Sequence, residues 1–410
     1  MRILILTIGT MGDVAPYTGL AVRLRQDGHH VAIATHERLA GPVRACGIEF
    51  RPLSGDPEAL LASESSRNST GRSGFARMRQ MRRLSRSLIP GIARDALAAA
   101  ERGTDLLLVA APVTRVGYLV GEALGVPSMG VLLLPASPTG DFPPVISGSR
   151  SLGRWGNRVA GQIMSAVADR EYEPILRRLR SEFGLPVTGA RPALHRRGCD
   201  WPLRYAFSPI VLPRPGDWDP GWGPVGFLWP ARAAGWEPDA SLADFLAAGP
   251  PPIGVSFGSA FFTDRERLAE TVLTAVRAAG ARAVIQSGWQ GLQACDNDDV
   301  LTVGEVPHDW LFPRLSTVVH ASGVGTAAAS LRAGVPSVAV PVRLDQPFWA
   351  GRLATLGVSP PPISARHLTA PRLTTALRQA AEHRQRATEL AGHLADEDGA
   401  GHLARTIARL

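Results

Sequence analysis

The sequence contains no lysine. All 44 of its basic residues are arginine, against 36 acidic ones, for a net charge of +8. Arginine used so uniformly reads as a base-composition bias of the encoding genome. A basic balance alone bears on solubility and non-specific contacts, so no nucleic-acid partner is expected. Cysteine is scarce as well. Cys46, Cys199 and Cys295 stand far apart in no metal-ligand spacing, and an odd number argues against a full disulfide framework. Long hydrophobic runs are missing: nothing approaches the ~18 apolar residues that suggest a membrane span. The apolar start, Met1 to Ile8, lacks a small-residue cleavage site and runs straight into a glycine turn, which reads as a strand and not a signal peptide. The expectation is a cytoplasmic protein. What remains is ordinary globular material, 410 residues with 45% hydrophobic and 20% charged side chains. That excludes a disordered tail, a coiled coil or a collagen-like rod, and the length suggests two sizeable domains.

Arg2 to Ile8 is a β-branched and leucine run ending at Gly9, the signature of a strand buried on both faces. Helical spacing follows from Pro16 to Asp27 (Leu20, Ala21, Leu24), Gly28 stops it, and a second strand reads Val31 to Thr35. A β-turn-α-β opening implies a parallel, doubly wound sheet. Asp105 to Val109 and Ser128 to Leu134 are further strands. Between Pro209 and Pro230, prolines, glycines and tryptophans crowd together, which reads as a linker. The opening scheme then restarts. A strand runs from Pro252 to Ser259, a helix from about Asp264 to Ala279, and strands cover Ala283 to Gln286, Thr317 to His320 and Ser337 to Val340. The division expected is a first domain over 1–210, a linker over 211–230, a second domain over 231–390, and a closing helix over 391–410 that packs back on the first domain.

The richest stretch for chemistry is His320-Ala321-Ser322-Gly323-Val324-Gly325-Thr326. A strand delivers a histidine to its C-terminal end, glycines permit close approach, and a helix begins whose free N–H groups and positive dipole end favour an anion. Thr326 adds a hydroxyl donor and His320 a ring donor, so diphosphate is the obvious guest. The plainer alternative is a tight turn capped by Ser322. Asp345-Gln346, at the end of the next strand, pairs a carboxylate with a carboxamide, a pattern suited to vicinal hydroxyls of a sugar; an ordinary N-cap is the alternative. In the first domain, Gly9-Thr10-Met11-Gly12-Asp13-Val14-Ala15-Pro16 occupies the turn after strand one. It is not the dinucleotide fingerprint, and no acid closes strand two, so a nicotinamide or flavin enzyme loses support. Asp13 reads either as a cap or as a general base.

These residues resemble the family 1 glycosyltransferases of GT-B fold, especially the bacterial branch that decorates glycopeptide, polyketide and sterol-like aglycones. The similarity runs nearly end to end. It is carried by Gly9 to Pro16, Leu212 to Trp218, Phe257-Gly258-Ser259, Ser287-Gly288-Trp289, Val306 to Pro313, the His320 loop and Asp345-Gln346-Pro347. The resemblance implies two Rossmann-like, doubly wound α/β domains facing a central cleft. It implies inverting transfer of a sugar from a dTDP- or UDP-sugar co-substrate to a hydroxyl of a small hydrophobic natural product, with no other cofactor and no metal. Asp13 falls on the base position. Thr10, Ser259, His320, Gly323, Gly325 and Thr326 fall on diphosphate contacts, Trp289 and Val306 on the nucleoside pocket, and Asp345 and Gln346 on the sugar readers. Where bacterial relatives read His-His-Gly-Gly-Ala-Gly-Thr, this chain has Ser322 and Val324 in place of a glycine and an alanine.

Two further readings stand beside this one. A catalytically silent glycosyltransferase-like helper, binding a partner enzyme, is motivated by the altered His320 loop; the presence of Asp13, His320, Asp345 and Gln346 together argues against it. From Arg67 to Arg86 lie seven arginines and no acid, either a solvated helix or an attraction to an acidic acceptor or an anionic membrane surface. Arg343, two residues before Asp345, is an unexpected charge beside the sugar readers.

Overall fold

The computed structural model describes residues 1–55, 74–187, 201–258, 260, 262, 264–288 and 299–409, without the side chains of 74–86 and 112. The first half alternates β1 (Arg2–Leu6), α1 (Met11–Gln26), β2 (His30–His36), α2 (Ala40–Ala45), β3 (Glu49–Leu53), α3 (Gly74–Glu101), β4 (Leu106–Val109), α4 (Thr114–Leu124), β5 (Ser128–Leu132), α5 (Gly153–Glu182), β6 (Leu203–Tyr205) and β7 (Gly223–Pro224). The second runs α6 (Ala240–Ala247), β8 (Ile253–Ser256), α7 (Arg265–Ala278), β9 (Ala283–Gln286), β10 (Val300–Val303), α8 (His308–Leu311), β11 (Thr317–His320), α9 (Val324–Arg332), β12 (Ser337–Ala339), α10 (Gln346–Thr355), α11 (Ala370–Ala380), α12 (Arg384–Ala395) and α13 (Gly399–Ile407).

Two separate sheets result, a seven-stranded one in the order β3-β2-β1-β4-β5-β6-β7 and a five-stranded one in the order β10-β9-β8-β11-β12. Every strand pairing in them is parallel. Parallel sheets need cover on both faces, and the sequence supplies it: Ile3, Leu4, Ile5 and Leu6 are all buried. β1 is paired with β2 on one side and β4 on the other, so the chain reverses its winding there and opens a crevice above Leu6. In the second sheet β8 lies between β9 and β11 and does the same.

α1 begins at Met11, five residues earlier than apolar spacing and Pro16 suggest. Thr10 is its N-cap, accepting from the Gly12 N–H, and Asp13 completes a capping box by bonding back to the Thr10 N–H. Two satisfied helix-end donors outweigh the weak apolar signal of the first turn. Pro16 falls inside the helix, near enough to its start that little hydrogen bonding is lost.

The segment 211–230 packs onto the first sheet. Gly223–Pro224 pairs with β6, Trp218 is buried and stacks on the Tyr205 ring at 4.3 Å, and Asp217 accepts from the Thr139 hydroxyl at 2.6 Å and the Gly140 N–H at 2.9 Å. The last helix, α13, lies against α1, with Leu403 and Ile407 in the same core as Leu20 and Leu24 and Arg23 bonded to Asp398 at 3.2 Å. Across the gap between the sheets, Phe348 of α10 meets Phe142 at 5.4 Å and Trp349 meets Phe207 at 6.1 Å. Among the described residues, no helix is long and apolar enough to cross a membrane.

Candidate active site

The site is built from loops at the C-terminal ends of the strands of both sheets. From the first sheet, β1 ends at Leu6 and the chain turns through Gly9, whose φ is +123°. A Cβ on Gly9 would sit 2.4 Å from Asp13 Oδ2, so only glycine lets the Asp13 carboxylate fold back over the turn. Oδ2 accepts from the Thr10 N–H at 2.8 Å and the Thr10 hydroxyl at 3.0 Å. Arg38 reaches the same turn, donating to the Gly9 carbonyl. Burial pushes the Asp13 carboxyl above its ordinary value, against the pull of the Thr10 bonds and the Arg38 charge. Asp13 is therefore a half-buried carboxyl of raised proton affinity. Its place is the third position of the helix, not the cap. Thr10 is spent on the cap and on Asp13: its proton points at the carboxylate, which leaves only its oxygen lone pairs for any ligand.

From the second sheet, β11 ends at His320, which is fully buried. Its Nδ1 accepts the Ser322 N–H at 3.0 Å, so in the neutral ring the proton sits on Nε2 as a donor. Burial, aided by nearby His308, holds the ring pKa down to about 3, which keeps it neutral. Among the described residues, neither Nε2 nor the buried Ser322 hydroxyl has a hydrogen-bond partner. Gly323, not Ser322, is the N-cap of α9, and its side chain necessarily adds no cap bond. Ser322 instead takes φ +64°, the left-handed conformation that favours glycine. Ser322 thus holds a backbone shape that glycine adopts without strain. Gly323 and Gly325 face open space, with nothing within 4 Å of where a Cβ would lie. Gly325 and Thr326, both half-exposed, form the first turn of α9 with Val324, which packs on the same core as Met11 of α1. α1 and α9 thus meet across the cleft, one carrying Asp13 in its first turn and the other opening at Gly323.

After β12, Asp345 occupies the N-cap position of α10 without making a side-chain cap bond. Burial raises its carboxyl pKa to about 6, and the Asp13 charge facing it adds to the rise. The two carboxylates, from different sheets, therefore share one cleft. Gln346 is partly committed: its Oε1 accepts from the Val342 and Arg343 N–H groups at 2.9 and 3.0 Å, so only its Nε2 remains to read a ligand. Leu344 between them is exposed with φ +56°. The Arg343 side chain is exposed. Val306, after β10, is half-buried and its carbonyl accepts from Gln286 Nε2 at 2.9 Å.

The structure thus brings Thr10, Asp13, His320, Gly323, Gly325, Thr326, Asp345 and Gln346 to one cleft, with Val306 at the β10 end of the second sheet. Ser259, Trp289 and the arginine side chains between Arg67 and Arg86 lie outside the described residues. Sequence reasoning passed over Gly9, Arg38, Gln286 and His308. Gly9 was signalled by its place at the end of a buried strand; the other three owe their place to tertiary packing.

Two parallel-sheet domains meeting at such a cleft are the GT-B architecture. Residues 3–143 match the glycosyltransferase family 28 N-terminal domain. Over 394 residues the chain is 36% identical to the O-mycaminosyltylonolide 6-deoxyallosyltransferase of Streptomyces fradiae, covering 93% of this chain and 90% of that one. It is 33% identical to a sterol 3-beta-glucosyltransferase of Arabidopsis thaliana, covering 97% of this chain but 66% of the relative, so the chain spans about two thirds of that protein's length. Among solved structures, a Streptomyces sp. SF2575 glycosyltransferase complexed with thymidine diphosphate superposes with a TM-score of 0.64 at 22% identity, covering all of both chains. The chain belongs to the glycosyltransferase family that contains the Streptomyces fradiae deoxyallosyltransferase.

Proposed function

We propose that the protein is an inverting glycosyltransferase that moves a sugar from a dTDP- or UDP-sugar to a hydroxyl of a small, hydrophobic natural-product acceptor. The observation that carries this reading is the meeting of two helix starts from the two sheets: α1, with Asp13 in its first turn, packs against α9, and the Asp13 charge acts on Asp345 at the start of α10. The Asp13 carboxylate takes the acceptor O–H proton as that oxygen attacks the anomeric carbon. The bond from that carbon to the diphosphate oxygen breaks on the opposite face, and the diphosphate leaves with the electron pair. Its charge is met by the N–H groups at Gly325 and Thr326, the Thr326 hydroxyl and the His320 Nε2–H, with Ser259 as a further hydroxyl. Asp345 and the Gln346 Nε2 bond the sugar hydroxyls. Trp289 and Val306 hold the nucleoside. Burial matters for Asp13, because a carboxylate near pH 4 is a poor base and a raised pKa brings it closer to working pH.

The acceptor class is supported by the cleft's surroundings. The loop that carries Phe142 packs on α10, and exposed apolar side chains follow it in the chain, Ile146 and Leu152 before α5 and Trp155 and Ile163 within it. A relative named for glucosylating a sterol and one named for acting on O-mycaminosyltylonolide fit the same preference. Calorimetric titration with dTDP and UDP tests the donor half of the proposal. Binding of either in the micromolar range is expected, and no heat from either at millimolar concentration refutes it.

A further inference from the structure

Behind the β10 end of the cleft lies a hydrogen-bond relay that the transfer chemistry leaves unused. Gln286, at the end of β9, is buried. Its Nε2 donates to the Val306 carbonyl at 2.9 Å. A carbonyl can only accept, so the amide orientation is fixed and Gln286 Oε1 faces His308 Nε2 at 3.2 Å. Oε1 can only accept in turn, so His308 carries its proton on Nε2 and donates it. Burial holds the His308 pKa down to about 4, which keeps the ring neutral and this tautomer in place near neutral pH. The ring stacks on Phe312 with centroids 4.3 Å apart, and the Ser256 hydroxyl at the end of β8 lies 3.5 Å from the same nitrogen. The ends of β8 and β9 are thereby tied to the Val306 peptide that follows β10. Gln286 occupies one lone pair of the Val306 carbonyl and polarises it, and leaves the second lone pair for another donor.

Pyrimidines differ at the edge that would meet such a carbonyl. Uracil and thymine present a donor N3–H between two oxygen acceptors, whereas cytosine presents a bare acceptor N3. We propose that Gln286 and His308 are positioning residues that hold the Val306 carbonyl to accept the N3–H of uracil or thymine, and so select the nucleotide of the donor against cytidine. This rests on the nucleoside-diphosphate reading above.

The test is calorimetry with UDP, dTDP, CDP and inorganic pyrophosphate on the wild type, Gln286→Glu and His308→Phe. The wild type should bind UDP and dTDP more tightly than CDP. Gln286→Glu keeps the side-chain size, and once ionised, at about pH 8, it has no proton to give Val306; there it should weaken UDP and dTDP about tenfold, the worth of one misaligned hydrogen bond. Pyrophosphate affinity should stay within about twofold of wild type, because the anion seat on α9 is untouched. His308→Phe preserves the stack on Phe312 and should shift the nucleotides in the same direction by a smaller factor. Equal loss for pyrophosphate and UDP, no loss for UDP, or a wild type indifferent between CDP and UDP would each overturn the relay's selective role. A wild type that binds neither pyrophosphate nor any nucleotide would instead sink the donor reading itself, and the proposal with it.

Discussion

Replacing Gly9 by alanine is the sharpest single perturbation of the base. The new Cβ would lie 2.4 Å from Asp13 Oδ2 and 2.9 Å from its Cγ, where ordinary contact begins at 3.4 Å. The carboxylate must therefore retreat by about 1 Å or the turn must open. Either movement stretches the bonds from the Thr10 N–H and hydroxyl, now 2.8 and 3.0 Å. Holding alanine at φ +123° costs about 1–3 kcal/mol, and weakening two bonds to an ionised carboxylate adds a further share of about 1.5–3 kcal/mol each. A net destabilisation of about 2–4 kcal/mol is expected. Displacing a reacting group by about 1 Å costs on the order of 10²-fold in turnover. Gly9→Ala should therefore lower the midpoint of thermal unfolding and slow transfer, while pyrophosphate affinity at α9 stays near wild type. A variant with unchanged melting and unchanged turnover would refute the claim that Gly9 exists to seat Asp13.

Ser322→Gly should stabilise the protein. It relieves a left-handed serine worth about 1–2 kcal/mol and a buried hydroxyl without a partner worth about 1–3 kcal/mol, against about 0.5–1 kcal/mol of extra chain entropy in the unfolded state. A melting temperature below wild type by calorimetry contradicts that account. Asp345 gives a pH signature. Its folded pKa, about 6, lies above the ordinary carboxylate value of 3.8, so it favours the fold fully below about pH 4 and loses that contribution as pH rises through about 6. Asp345→Asn should raise the melting temperature at pH 7.5, leave it unchanged at pH 4, and weaken donor-sugar binding over UDP alone. A variant that melts lower than wild type at pH 7.5 would show that the buried charge was not a liability.

Much of the architecture is legible in the sequence because a strand buried on both faces leaves an unbroken apolar run. Arg2 to Ile8, Ala283 to Gln286 and Thr317 to His320 announce themselves this way. β6, β7 and β10 do not: β6 and β7 are three and two residues long, too short to show a period, and β10 is half-buried over three of its four residues. The start of α1 was hidden because Pro16 looks like a first-turn proline, while the capping box of Thr10 and Asp13 starts the helix at Met11, five residues upstream. The chemistry-bearing residues of the cleft could be listed from motifs, yet their commitments could not. That Thr10 spends its proton on Asp13, that Gln346 spends its oxygen on its own loop, and that Ser322 points a hydroxyl at nothing are consequences of tertiary geometry. The Gln286–His308 relay is wholly of this kind, since its members are 22 residues apart and share no local pattern.

The central claim is that Asp13 is the base and that the anion seat across the cleft is independent of it. The measurement that bears on it most directly is Asp13→Asn. Transfer from dTDP- and UDP-sugars to a panel of sterol and macrolide alcohols would be followed, with dTDP and UDP affinity measured on the same preparations. Asparagine keeps the size and can stay over the Gly9 turn, but it cannot take a proton. Turnover should fall by about 10²–10⁴-fold, the usual worth of a positioned base, with nucleotide affinity within about twofold of wild type. Turnover close to wild type in Asp13→Asn would contradict the account.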